Sequence, residues 1–224
     1  MSRFSIQSFR LVGALLLGAN CLLCAASARA DEAASDEGWI DLFNGENLDG
    51  WRANENKDTF SVEDHCIKVA GDRSHLFYVG RVHDANFKNF HWKCEVMTKP
   101  NANSGMYFHT KYQSEGWPAA GYEVQVNNSH GDPRKTGGLY AVEDVMNNSP
   151  AKDNEWFTQE VIVQDKHVVV KVNGKVTADY TEPAAVERPD GMQGRRLSEG
   201  TFALQGHDPG SVVFYRKVAV KPLP

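Results

Sequence analysis

Asn103-Ser104-Gly105-Met106-Tyr107-Phe108-His109-Thr110-Lys111-Tyr112, followed after a short gap by Gly121-Tyr122-Glu123-Val124-Gln125-Val126-Asn127, decides the fold class. Both runs read as β-strands, on which successive side chains point to opposite faces. Met106 and Phe108 then share one face, and Tyr107, His109 and Lys111 the other. In the second run Val124 and Val126 oppose Glu123, Gln125 and Asn127. A solvated exterior explains that alternation. A strand face bringing imidazole, carboxylate, amide and aromatic groups together for chemistry explains it equally well.

Outward from these runs the chain continues as short strand-like segments. They cover 39–43, 59–63, 65–70, 75–79, 89–98, 137–142, 156–164, 167–172, 175–179, 200–206 and 211–221, with 104–111 and 121–127 among them. Many carry Val, Phe, Tyr or Thr, which suit a pleated, half-buried surface. Asn173-Gly174 between two valine-rich runs is a two-residue hairpin signal. No long helical period and no fixed repeat is present; one short helical turn is expected at 86–88 or within 183–190. The pattern predicts an all-β sandwich or jelly roll of antiparallel sheets. Segments 143–155 and 182–199 are its long loops, placed to border a site.

The N-terminus reads differently. Arg3 and Arg10 precede an apolar run, Leu11 to Ala26, and Ala28-Arg29-Ala30 has the form of a leader-peptidase site. Residues 1–30 are expected to be a removed signal peptide, residues 31–37 a flexible acidic lead-in, and residues 38–224 a single domain. Leu23 before Cys24 fits a lipoprotein anchor poorly, and Cys21 and Cys24 fall inside the leader. Removing three leader arginines takes the formal charge from −5 to −8, which argues against nucleic acid or an anionic membrane as partner. The mature chain keeps Cys66 and Cys94, either bridged or as two buried thiols.

Phosphate-cradling glycine loops, HExxH, zinc-ribbon cysteine spacing and the GxSxG elbow are all absent from the sequence. Asn127 and Asn147 each begin a glycosylation sequon, a motif short enough to arise by chance. His65, His75, His83, His91, His130 and His167 read as solvated surface. His109 and His207 differ, because each shares a strand face with polar partners, His207 with Gln205. Neutral-range histidines carry protons. Glu123, if buried, becomes a usable acid or base. His109, Glu123 and His207 together also form a candidate two-histidine, one-carboxylate set, so a divalent metal is possible although the sequence requires no cofactor. Tyr107, Trp117, Tyr122 and Tyr140 offer apolar ring faces to sugars.

Trp39-Ile40-Asp41-Leu42-Phe43-Asn44-Gly45-Glu46-Asn47-Leu48-Asp49-Gly50-Trp51 resembles the opening of the 3-keto-disaccharide hydrolase domain family. The resemblance continues through Asn103 to Phe108, Gly121 to Gln125, Gly138-Leu139-Tyr140, Glu155-Trp156-Phe157, Val172-Asn173-Gly174, Phe202 to His207 and the closing Val213-to-Leu223 run, and so spans about residues 38–223. It implies a concanavalin A-like sandwich of two antiparallel sheets with carbohydrate on one of them. It also implies export, to the periplasm or beyond, in bacteria, and a role in breaking down oxidised sugars. His109-Thr110-Lys111 stands where many members carry arginine, and Asn127 where aspartate is frequent.

A conventional glycosidase needs two carboxylates about the anomeric carbon. By strand parity only Glu123 is well placed, with Asp144 and Asp208 the candidates for a second. A 3-keto sugar asks for less, because its ketone acidifies the C2 hydrogen and makes the C1 substituent a β leaving group. On that reading His109 or Glu123 is the base and His207 the donor to the leaving group or enolate. Tyr107, Lys111, Trp117, Tyr122, Gln125, Asn127, Tyr140 and Gln205 bind the sugar. The alternatives are a non-catalytic carbohydrate-binding module and a conventional glycosidase.

Overall fold

Runs rich in valine and aromatics pair into two antiparallel sheets laid face to face. The computed structural model describes residues 38–224; the expected leader and lead-in lie outside the described residues. In the first sheet the order is β13 (Lys175–Thr181), β12 (His167–Val172), β11 (Phe157–Gln164), β6 (Phe90–Thr98), β15 (Val212–Pro222), β4 (Cys66–Ala70) and β3 (Phe60–Glu63), with β1 (Ile40–Asp41) also on β15. The second runs β10 (Glu143–Met146), β9 (Arg134–Leu139), β8 (Tyr122–Val126), β7 (Ser104–Thr110), β14 (Thr201–Gly206), β5 (Ser74–Tyr78) and β2 (Trp51–Ala53). The expected two-sheet antiparallel sandwich is the fold of this chain.

Turn chemistry fixes the register. Asn173 (φ 49°) and Gly174 (φ 74°) are both left-handed, as the tight hairpin between β12 and β13 requires. Asp64 and His65 make the same kind of turn between β3 and β4. The inner faces fill with large side chains: Trp92, Phe90, Tyr215 and Ile67 from the first sheet meet Phe108, Phe202, Met106 and Leu76 from the second. The Trp92 and Phe202 rings stack with centroids 4.4 Å apart. Burying each such side chain contributes about 1.5–3 kcal/mol.

The two sheets differ on their outer faces. Along β6 and β11 buried and half-buried residues alternate, as expected of a sheet with one wet side. Along β5, β7, β8 and β14 every residue is buried. The polar residues of the second sheet's outer face are therefore covered.

Several details depart from the sequence expectations. β2 was not foreseen, and the first residues of the expected loop 143–155 form β10. A short helical turn occurs at Lys57–Thr59 and a left-handed turn at Val82–Ala85, where His83, Asp84 and Ala85 take φ of 49°, 51° and 53°, rather than a turn at 86–88 or 183–190. Cys66 and Cys94 are both buried and unbridged. β15 runs between their strands, and two strand spacings of about 4.8 Å exceed the Cα separation a disulfide spans. Among the described residues no helix is long and apolar enough to cross a membrane.

Candidate active site

The cover over the second sheet has two parts, the segment 111–121 and the strap 182–199. Proline and glycine at Pro183, Pro189, Gly191 and Gly194 keep the strap out of regular structure. It is pinned at both ends. Glu182 accepts bonds from the Leu197 N–H (2.7 Å), the Lys166 ammonium (3.0 Å) and the Tyr122 hydroxyl. Arg188 donates to the Arg195 carbonyl (2.9 Å) and to the hydroxyls of Tyr122 (2.7 Å) and Tyr180 (2.9 Å). Strap and segment meet where the Gly121 N–H donates to the Gly194 carbonyl (3.0 Å); a Cβ at Gly194 would lie 1.8 Å from the Ala119 carbonyl oxygen. Between cover and sheet lies a cavity of about 360 Å³.

Glu123 forms its floor and is 4% exposed. Gly105, diagonally across on β7, leaves the space its carboxyl occupies: a Cβ at Gly105 would sit 2.5 Å from Glu123 Oε1. Gln205 Nε2 donates to Oε1 (3.0 Å), and Arg195 Nη2 donates to Oε2 (3.2 Å). The Tyr107 hydroxyl bonds to the same carboxyl and accepts from Gln205 Nε2 at 2.9 Å. Burial pushes the Glu123 carboxyl above its ordinary range, although Arg195, Tyr107 and Gln205 pull it back.

Across the cavity, His207 bonds through Nδ1 to Asp208 Oδ2 at 2.7 Å, leaving Nε2 without a partner among the described residues. Burial pushes Asp208 upward, but the bonds from His207, Ser211 and the Gly210 N–H win and hold it low. A carboxylate at Nδ1 fixes the tautomer that presents Nε2 as the working nitrogen. Trp117, 44% exposed, forms one wall with its ring 5.6 Å from that of His207. Tyr140 forms another, between the guanidinium groups of Arg134 (4.9 Å) and Arg195 (5.1 Å).

Of the residues singled out in the sequence, Glu123, His207, Tyr107, Trp117, Gln125, Tyr140 and Gln205 line this one cavity. Four do not. His109 breaks the parity of β7: two residues there, Phe108 and His109, oppose the single Phe202 of β14, and His109 takes φ 55°. That bulge turns its ring to the inner side, against Phe90 and Phe108. Nε2 donates to the Lys88 carbonyl (2.9 Å) and Nδ1 accepts the Ser198 N–H (3.2 Å). Burial lowers its pKa to about 4. The slip carries Lys111 to an exposed position beside Tyr78 and Tyr112. Tyr122 faces the core, stacked on Phe108. Asn127 closes the 128–135 loop instead, donating to the Asp132 and Arg134 carbonyls and accepting from the His130 N–H.

The metal set of His109, Glu123 and His207 falls with His109, and among the described residues no group of three or more His, Cys, Asp or Glu side chains is placed to hold a metal. Loop 143–155 contributes nothing to the cavity lining, and Asp144 pairs with Arg134 (3.0 Å). Sequence reasoning missed Arg195, which sits in an irregular strap with no periodicity to place it. It also read His75 as solvated, whereas His75 is fully buried beneath Trp117 and Tyr107. Its parity with Phe77 on β5 was the available signal.

With this geometry in hand, comparison with known proteins is specific. The sequence model of the family described as "3-keto-alpha-glucoside-1,2-lyase-like domain" matches residues 38–221. A 3-keto-disaccharide hydrolase of Bacteroides thetaiotaomicron is 25% identical over 233 residues, covering 84% of this chain and 79% of that protein. The crystal structure of a candidate glycosyl hydrolase from Parabacteroides distasonis superposes with a TM-score of 0.71 at 23% identity, covering 84% of this chain and 95% of its own. Carbohydrate-binding module CBM66 of Bacillus subtilis gives 0.54 at 12% identity, covering 77% and 95%. The sandwich is of the galectin and concanavalin kind.

Proposed function

The chain belongs to the 3-keto-alpha-glucoside-1,2-lyase-like family, and from that premise we propose that it is an exported enzyme cleaving 3-keto-glycosides in the cavity above the second sheet. The observation that carries this reading is the Glu123 carboxyl, buried at the cavity floor between Arg195 and Gln205 and raised in pKa by that burial. A buried carboxylate is a stronger base than a solvated one, which suits removal of a hydrogen made acidic by an adjacent ketone.

Glu123 takes the C2 proton, and the electron pair of that C–H bond moves onto the C3 oxygen as an enolate. The enolate then expels the C1 oxygen substituent, leaving an enone. His207, protonated at Nε2 and held by Asp208, gives its proton to the departing oxygen; as neutral imidazole it then takes a proton from water. Hydroxide adds at C1 and Glu123 returns the proton to C2, so the net change is hydrolysis. Arg195, already on the carboxylate, keeps positive charge beside the negative charge that moves from carboxylate to enolate. Tyr107 and Gln205 hold the carboxyl in one orientation, and Trp117 and Tyr140 give the ring faces for the sugar.

Purified protein incubated with a 3-keto glucoside should release the aglycone, and Glu123→Gln should lower kcat by ~10²–10⁴-fold, the range for loss of a general base. Unchanged turnover in Glu123→Gln removes the assignment. Saturable sugar binding with no product from the wild type would make the protein a carbohydrate-binding module, as its likeness in fold to CBM66 allows.

A further inference from the structure

β2 is the last strand of the second sheet, and one of its edges is open. The Val79 N–H donates to the Gly50 carbonyl (2.8 Å) and the Asn54 N–H to the His75 carbonyl (3.0 Å), with Arg52 the Cα partner of Phe77 between them. In an antiparallel ladder alternate residues turn their N–H and C=O groups away from the partner strand. Those of Trp51 and Ala53 therefore point to the open edge. The Trp51 N–H is taken by the Leu48 carbonyl at 2.9 Å, and the Ala53 N–H has no partner among the described residues.

A cavity of about 420 Å³ lies along this edge, and its walls divide by chemistry. Leu48, Trp51 and Leu76 reach it from the core between the sheets. Arg52, Asn54 and Lys57 supply polar lining, and no carboxylate is present in it, although the chain as a whole carries a net charge of −5. The Arg52 guanidinium stacks on Tyr112 at 3.9 Å, and neither Arg52 nor Lys57 has a carboxylate partner among the described residues. Asn54 is 6% exposed, and its Oδ1 accepts from the His75 N–H (2.7 Å) and the Ser74 hydroxyl (3.1 Å) on β5. A backbone N–H can only donate, so the amide oxygen must face β5. Nδ2 is then turned away from β5 toward the open edge, and it is a buried donor with no acceptor. Native proteins leave few such groups unpaired.

The geometry points to the open edge of β2 as a binding site for an oxyanion carried on an apolar body, a carboxylate or phosphate monoester of an aromatic or like group. The Arg52 guanidinium, the Lys57 ammonium, Asn54 Nδ2 and the Ala53 N–H are all donors, and two of them carry full positive charge, which an anionic acceptor satisfies best. The edge carbonyls of Trp51 and Ala53 are neutral dipoles and do not cancel two charges. Leu48, Trp51 and Leu76 call for an apolar body, which an inorganic anion lacks. A neutral sugar brings no charge to the cations. The site is separate from the cavity at Glu123. Arg52 stands at one end of the row Arg52, Phe77, Ala203, Tyr107 and Glu123, four strand spacings or about 19 Å from the carboxyl. Phe77, Tyr107, Ala203 and Tyr112 pack together between the two. The inference therefore goes beyond the glycoside reading and does not depend on it.

The test is calorimetric titration of the protein at pH 7 with benzoate, phenyl phosphate, benzamide and inorganic phosphate. Benzoate and phenyl phosphate join charge to an apolar ring, and the tighter binder of the two identifies the oxyanion. Benzamide lacks the charge and inorganic phosphate the ring, so each should bind at least about tenfold more weakly than that probe. Arg52→Gln should weaken the probe about tenfold, the loss of one charge-assisted bond. Arg52 is exposed, so this variant should melt with the wild type. Asn54→Asp keeps an oxygen for the bonds from β5 but puts a carboxylate oxygen in place of the unpaired donor, and should abolish binding. Arg195→Met, which alters the cation of the Glu123 cavity, should bind the probe as the wild type does. Absence of saturable binding by both charged probes overturns the site, as does equal affinity for benzamide or inorganic phosphate. Wild-type affinity in Arg52→Gln or Asn54→Asp, or weakened binding in Arg195→Met, overturns it too.

Discussion

Lowering the pH from 7 to 5 should cost this fold about 4 kcal/mol through two histidines alone. His75 is 0% exposed and His109 1% exposed, and burial lowers their pKa values to about 3 and about 4. An unfolded chain carries ordinary imidazoles near ~6.5. The folded values are depressed, so below about pH 6.5 the unfolded state takes up protons that the folded state refuses, and stability falls until the folded values are reached. At about 1.36 kcal/mol per pH unit, the step from pH 7 to 5 removes about 2 kcal/mol for each residue. The carboxylates held low, Glu55, Glu95, Glu160, Glu182 and Asp208, lose their stabilising effect only below their ordinary unfolded values near ~4, beneath this window. Glu123 acts in the opposite sense, since its raised folded pKa favours the native state as protons are added. Urea unfolding followed by tryptophan fluorescence measures the difference; with a slope of about 2 kcal/mol per molar urea, the midpoint should fall by about 2 M. His75→Phe should halve that fall. If His75→Phe keeps the full pH dependence, the imidazole is not neutral and buried in solution, and the reasoning fails.

Gly105→Ala should crowd Glu123, because the new Cβ would lie 2.5 Å from its Oε1, 3.0 Å from its Cγ and 3.1 Å from its Cδ, and displacing that carboxyl should lower kcat on a 3-keto glucoside by about 10²-fold; unchanged kcat would show that Gly105 does not position the carboxyl. Arg188→Gln removes the donors to the Arg195 carbonyl, Tyr122 and Tyr180, and should cost about 1–3 kcal/mol in urea unfolding together with a fall in kcat/KM as the strap loosens; wild-type kcat/KM would show the strap is held by other contacts. Arg195→Met removes the charge that pulls the Glu123 pKa down, so the acidic limb of the kcat/KM–pH profile should move to higher pH. A limb that stays in place or moves lower would mean Glu123 is not the titrating base.

How far the site was legible in the sequence depended on where the period of two was kept. Tyr107 on β7 and Glu123 with Gln125 on β8 follow strict alternation, and parity alone put them on one face. His109 lies two residues beyond Tyr107, but the β-bulge between them spends the extra residue and reverses the face. No residue type announces that slip: His109 is a non-glycine at φ 55°, held there by bonds to Lys88 and Ser198, which come from other parts of the chain. Arg195 was hidden for a different reason. Its position is set by tertiary bonds to Arg188, Tyr140 and Glu123, and an irregular segment carries no pattern that reports such bonds. Tyr122 shows the cost of reading an aromatic by type alone, since parity with Val124 and Val126 already pointed it at the core.

The same binary pattern produced two unlike surfaces, and the difference lies in what covers them. On the first sheet the outward residues His91, Lys93 and Glu95 stay half-buried. There a polar side chain costs nothing to keep, and its exchange for another polar residue matters little to stability. On the second sheet the strap and Trp117 remove water from Glu123, Gln125, Gln205 and His75 without supplying all the bonds that water had made. The fold therefore gives up stability at His75, Gln125 and Gln205, and among the described residues only there do unpaired polar atoms gather beside a raised carboxyl and an aspartate-held histidine. Removing an orphaned atom beneath the site, as in His75→Phe, should strengthen the fold without raising turnover of a 3-keto glucoside. A polar face kept only for packing would show the two effects moving in the same direction.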